Sequence, residues 1–151
     1  MNKEFNKVRE NISNYSNIID LIEIADKEYK EIESLNLDKY ILHGDLHHGN
    51  IVLDNDTYKA IDPYGRIGEK LLEIGAFVMN ELWLFGTRDE DIKEVISKIA
   101  KLLNEDERFI AKISFIRVVL STAWAIEEND TRIIQINTDI CKRILKIYKI
   151  S

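Results

Sequence analysis

The sequence holds one cysteine, Cys141, so a single chain can build neither a disulfide framework nor a thiolate metal site, and a reducing compartment suits it. It has no basic block. Its 21 lysines and arginines are outnumbered by 27 acidic residues, the net charge is −6, and both signs are scattered along the chain. Without a patch that neutralises a phosphate backbone, nucleic acid is not an expected partner. No uninterrupted apolar run approaches the ~20 residues that span a bilayer, and the opening MNKEFNKVRENISNYS lacks the apolar core of a signal peptide. The expectation is a cytoplasmic protein with no membrane contact. Internal repeats and low-complexity linkers are missing too. What is present is 45% hydrophobic residues over 151 positions, enough for one domain with a true core.

Apolar residues recur at helical spacing from Phe5 to about Ser34, with a polar interruption over residues 13–17, which predicts two helices, the second opening near Ser16 or Asn17. Between Tyr40 and Asp62 the pattern changes. Short apolar runs at 40–42, 51–53 and 58–61 alternate with turn residues, and all three histidines lie here. Asn55, Asp56 and Thr57 suit a turn that pairs 51–53 with 58–61, because Asn and Asp tolerate left-handed backbone angles. Residues 62–69 read as a loop. Helices are then predicted over 71–85, ended by Gly86; over 89–103, with Asp89 as N-cap; over 106–128; and over 131–149. The helix over 106–128 is apolar on most faces and should be the buried centre. The expected fold class is α+β, mainly α: a helical lead-in over 1–38, a loop-bearing hairpin region over 39–70 and a helical bundle over 71–151.

The chemistry lies in LHGDLHHGNIVLD (42–54) and AIDPYG (60–65), where two acids and an amide sit at turns beside short strands. Phosphoryl transfer needs a carboxylate that orients an attacking hydroxyl and accepts its proton, and hard oxygen ligands for magnesium on the nucleotide phosphates. Asp45 suits the first need, Asn50 and Asp62 the second. A hairpin over 51–61 places Asn50 and Asp62 at its open end.

His43-Gly44-Asp45, with Asn50 five residues beyond the acid and Asp62 after a hairpin, resembles the catalytic and metal-binding loops of the protein-kinase-like fold. The fuller pattern, LHGDLHHGNIVLD followed by AIDPYGRIG, most resembles the streptomycin 6-kinase and hydroxyurea phosphotransferase group of the aminoglycoside phosphotransferase family, over about residues 40–80. The resemblance implies that Asp45 is the catalytic aspartate and that Asn50 and Asp62 hold the metal. It makes His43 the histidine that braces the loop, and sets His47 where protein kinases keep a lysine directed at the transferred phosphate. It implies that Glu73, in Leu72-Glu73-Ile74-Gly75, buttresses the loop by accepting backbone hydrogen bonds. By the same resemblance the cofactors are Mg²⁺ and ATP, and the acceptor is a small hydroxyl-bearing molecule, with a streptomycin-type aminoglycoside leading.

Such an enzyme also covers its nucleotide with a glycine-rich hairpin and a strand lysine paired to a helix glutamate. All six glycines lie at or beyond position 44. The expectation is therefore a C-terminal lobe whose N-terminal lobe is absent: a truncated chain, a gene fragment, or one part of an enzyme completed by a separate polypeptide, transferring phosphate poorly alone. Plainer readings compete. Asp45 and Asn50 also suit loop caps, and Asp62 before Pro63 suits a turn starter. His47 and His48, being adjacent, point different ways, each a surface histidine or a phosphate contact. Tyr64 and Arg66 fit a solvated loop, Trp83 and Trp124 a core or lobe interface. Two other classes remain. One is a metallohydrolase using His43, Asp45, His47, His48 and Asp62, for which Asn50 is a poor zinc ligand. The other is a non-catalytic binding or self-associating helical module.

Overall fold

The computed structural model describes residues 16–151, and the first of the two expected N-terminal helices lies outside them. Helix α1 (Ser16–Ser34) buries Ile18, Leu21, Ile22, Ala25 and Ile32 along one stripe, at the spacing its sequence predicts. Strand β1 (Lys39–Leu42) follows, then a 3₁₀ turn (His48–Asn50) and the hairpin of β2 (Ile51–Asp54) and β3 (Thr57–Ala60). That hairpin pairs Asp54 with Thr57 and Ile51 with Ala60, and Asn55 supplies the left-handed residue of its turn at φ 55°.

The expected loop over 62–69 is corrected in its second half. Residues Arg66–Glu69 form β4, antiparallel to β1, with Lys39 opposite Glu69 and Leu42 opposite Arg66. A four-residue strand containing a glycine has little propensity of its own; it forms because β1 presents backbone groups that need partners. Gly65, at φ 70°, turns the chain into it, and its N–H donates to the His43 carbonyl at 3.0 Å.

Four helices complete the fold: α2 (Lys70–Phe85), α3 (Asp89–Leu103), α4 (Glu107–Glu127) and α5 (Thr131–Tyr148). The expected cap of α3 is also corrected. Arg88 is the N-cap, its N–H donating to Asp91 Oδ2 at 3.1 Å, while Asp89 is the first helical residue and reaches Arg143 Nη1 on α5 at 2.6 Å. A carboxylate in the first turn meets the same dipole that a capping side chain would, and Arg143 gives Asp89 a further reason to turn outward. Asp106 and Asp130 cap α4 and α5 by accepting from Phe109 N–H and Ile133 N–H.

Helix α4 is the hub, packed against α1, α2, α3 and α5, and most of its faces are buried. By length and composition it could cross a membrane, yet 78% of its apolar stretch is buried inside the fold. Its hydroxyls are satisfied locally, Ser114 donating to the Ile110 carbonyl and Thr122 to the Val118 carbonyl. A polar chain ties three helices together: Trp83 Nε1 of α2 donates to Asn137 Oδ1 of α5 at 3.0 Å, and Asn137 Nδ2 donates to Ser121 Oγ of α4 at 3.2 Å. Lys112 of α4 pairs with Glu28 and Glu31 of α1.

Candidate active site

Beyond β1 the chain enters His43-Gly44-Asp45 through a backbone that only glycine adopts freely, Gly44 lying at φ 83°. The Gly44 N–H points at the first turn of α2, where both carboxylate oxygens of Glu73 stand 3.0 Å away. A charged acceptor on a rigid helix thus fixes the bend that presents Asp45. The His43 ring braces the bend from the other direction. Its Nδ1 lies 3.4 Å from the Asp45 N–H, and its Nε2 lies 2.8 Å from the Ile61 carbonyl. Those partners assign the tautomer, with Nδ1 accepting and Nε2–H donating.

The 3₁₀ turn holds the next two residues. His47 Nδ1 accepts from Gly49 N–H at 3.1 Å, and Asn50 N–H donates to the His47 carbonyl at 2.9 Å. The remaining imidazole nitrogen of His47, Nε2, lies 3.7 Å from Asp45 Oδ2. Asn50 links two loops: its side-chain Nδ2 donates to the Asp45 carbonyl at 3.0 Å, and its own carbonyl accepts from Ile61 N–H at 2.9 Å. Asp62, one residue on, occupies the left-handed region at φ 58° at the mouth of the β2–β3 hairpin.

The structure therefore gathers Asp45, His47, Asn50 and Asp62 into one loop cluster, with His43 and Glu73 bonded to its backbone. His48 is exposed; its ring is tilted 57° to that of His47 with centroids 5.7 Å apart. Because Asn50 Nδ2 is committed to Asp45, the free end of that amide is its oxygen. Among the described residues no hydrogen bond or ion pair engages the Asp62 carboxylate. An amide oxygen and an unpaired carboxylate are hard donors and fit magnesium, which takes one or two protein ligands and completes its shell with water and substrate phosphates. No group of three or more His, Cys, Asp or Glu side chains placed to hold a metal occurs among the described residues.

A cavity of about 270 Å³ lies alongside, between α1, β1, β4, α2 and α4, with Gly44, Glu73, Arg66, Arg117, Tyr29 and Trp124 in its wall. Arg117 was not singled out in the sequence. Burial holds its guanidinium below the ordinary arginine range; Asp45 opposes that shift, Arg66 adds to it, and Glu73 opposes it. The signal was there to find: Arg117 is the one charged residue between Lys112 and Glu127, in an otherwise apolar helix. Helix α4 approaches this closely because Gly75 has no side chain; a Cβ there would stand 2.9 Å from the Ile113 carbonyl oxygen and 3.1 Å from Arg117 Cβ.

Residues 19–129 match the family model described as aminoglycoside/hydroxyurea antibiotic resistance kinase. Among curated proteins and solved structures none matches.

Proposed function

Because this chain belongs to the aminoglycoside/hydroxyurea antibiotic resistance kinase family, we propose that its loop cluster transfers the γ-phosphoryl group of ATP to a hydroxyl of a streptomycin-type aminoglycoside. Membership implies ATP, a divalent metal and a small-molecule hydroxyl acceptor. Asp45 orients that hydroxyl and takes its proton as the oxygen attacks phosphorus. Asn50 Oδ1 and the Asp62 carboxylate would hold Mg²⁺, which would supply positive charge against the nucleotide phosphates. His47, with Nε2 beside Asp45, offers a hydrogen bond to the transferred group. Glu73 and His43 keep Asp45 in place through Gly44 and the Asp45 N–H. The aminoglycoside assignment rests on the likeness of residues 42–65 to the streptomycin-kinase pattern, and a cytoplasmic setting suits both the nucleotide and a free Cys141.

The observation that supports this reading is the double anchoring of Asn50, to the Asp45 carbonyl by its side chain and to Ile61, the neighbour of Asp62, by its backbone. Closing over the nucleotide needs a glycine-rich hairpin and a lysine. Among the described residues, 16–69 supply a helix, a 3₁₀ turn and two short strand pairs.

The test is paramagnetic broadening of amide resonances by Mn²⁺ with ATP. Signals of residues 45–50 and 61–65 are expected to broaden, and to recover in Asn50→Ala and Asp62→Asn. Broadening centred elsewhere would sink the metal assignment. Streptomycin phosphorylation is expected to fall by about 10³-fold or more in Asp45→Asn relative to the unmutated protein. A specific observation favours a second reading, a binding or self-associating module. Ile41 and Ile67 face each other across β1 and β4 while 87% and 79% exposed. Sedimentation of a strict monomer at high concentration would count against it.

A further inference from the structure

Arg117 carries a charge into the wall of the helical hub, and among the described residues it has no ion pair; its Nε–H is sealed from solvent with no acceptor. Its guanidinium carbon stands 4.9 Å from the centre of the Trp124 ring. A cation–π contact offsets part of the desolvation of a guanidinium, and Asp45 and Glu73 act on Arg117 through space, but neither gives its Nε–H an acceptor. Arginine cannot escape by shedding its proton at physiological pH. A second guanidinium reaches the same cavity. Arg66, stacked 4.9 Å from the centre of the Tyr64 ring, also makes no ion pair among the described residues. Against these two cations the wall sets one carboxylate, Glu73, with both oxygens already turned to the Gly44 N–H.

Size and location narrow what fits. The cavity's 270 Å³ is many times the ~30 Å³ share of a water molecule in the liquid, so a tetrahedral oxyanion enters with room to spare. Asp45, Asn50 and Asp62 do not line this cavity, which adjoins their loop cluster through Gly44 and Glu73. Arginine forks match tetrahedral oxyanions through paired N–H donors, which a lone halide cannot use.

We propose that this cavity is an oxyanion site that seats a phosphate group between Arg66 and Arg117 with Trp124 as its aromatic wall. The ligand is either the free ion or the head of a phosphomonoester. Gly44 and Glu73 share that wall, so occupancy couples to the bend that presents Asp45.

The test reads binding, not turnover. Trp83→Phe leaves Trp124 as the sole tryptophan, and inorganic phosphate added at constant ionic strength is expected to change its fluorescence saturably and raise the melting temperature of both this variant and the unmutated protein. Chloride is expected to do neither. Arg117→Lys keeps the charge and loses the fork, and is expected to weaken binding about tenfold or more; Arg66→Met is expected to weaken it similarly, and Arg143→Met to leave it unchanged. Ethyl phosphate binding as well as phosphate identifies a phosphomonoester site, and phosphate binding alone identifies a site for the free ion. The proposal is overturned if neither ligand gives a saturable response, if chloride matches phosphate, or if Arg117→Lys and Arg66→Met, folded by circular dichroism, bind as tightly as the unmutated protein.

Discussion

Glu73 turns both carboxylate oxygens toward one backbone N–H, that of Gly44, in a loop whose left-handed bend no other residue would adopt as readily. A hydrogen bond to a charged acceptor is worth ~1.5–3 kcal/mol. Glu73→Gln keeps the shape and removes the charge, so Gly44 amide exchange is expected to accelerate by about tenfold or more while the global unfolding free energy moves much less; unchanged exchange would deny Glu73 its bracing role. Tyr148 makes the opposite case. Its hydroxyl is buried without a partner, and burial, with Glu107 adding, pushes its pKa up to about 12. A folded pKa above the unfolded ~10 means that this contribution to stability is intact below pH ~10 and is lost as pH rises toward the folded value. Tyr148→Phe removes the orphan hydroxyl, so at neutral pH its stability is expected to match the parent within ~1 kcal/mol, and its alkaline unfolding midpoint to lie higher in circular-dichroism titrations. At this scale Asp45, Asn50 and Asp62 stood out in the sequence because they sit in a short ordered motif. Arg117 is conspicuous in the sequence as a lone charge in an apolar helix, but its role depends on what α2 and β4 bring beside it, far away along the chain.

Among elements, the contact of α2 with α4 depends on Gly75, where an added Cβ would meet Ile113 Cγ2 and the Ile113 carbonyl oxygen, each at 2.9 Å. Backbone on one side and a packed side chain on the other leave no easy relief. Gly75→Ala is expected to destabilise the protein by ~1–3 kcal/mol in urea unfolding, despite the better helix propensity of alanine. A gain in stability would show that the helices separate without cost. The helices α2 to α5 were legible to within a residue or two, since their apolar period and their Asp and Gly boundaries are local signals. The hairpin was legible through Asn55 and Asp56. Strand β4 was not, because Arg66–Glu69 pairs with β1 across a long sequence separation, and nothing within those four residues announces the partner. The cap of α3 misled for a related reason: Asp89 is a reasonable cap locally, but Arg88 is the N-cap, its N–H held by Asp91, and Asp89 pairs with Arg143 on a distant helix.

Across the whole molecule, burial is uneven. The core runs through α1, α2, α3, α4 and α5, whereas β3 is exposed along its full length and Leu53 and Tyr58 face each other across the hairpin in solvent. Regions with few buried apolar contacts open at low free energy. Hydrogen exchange is therefore expected to be fastest at residues 51–60 and slowest in α4, with addition of Mg²⁺ and ATP slowing exchange at 43–50 and 61–65 first; a hairpin exchanging with the core would contradict this gradient. The family match ends at residue 129, so α5, which packs on α4 and supplies Asn137 and Arg143, lies past the matched segment. One last consequence belongs to the His43 imidazole and the Asn50 carbonyl, both fastened to Ile61. Length added at the tip, beside Asn55, extends the ribbon into open water and spares the business end. One residue added between Ala60 and Asp62 slides the acid past its fasteners, so tolerance to insertions should change sharply within a single turn and two strands.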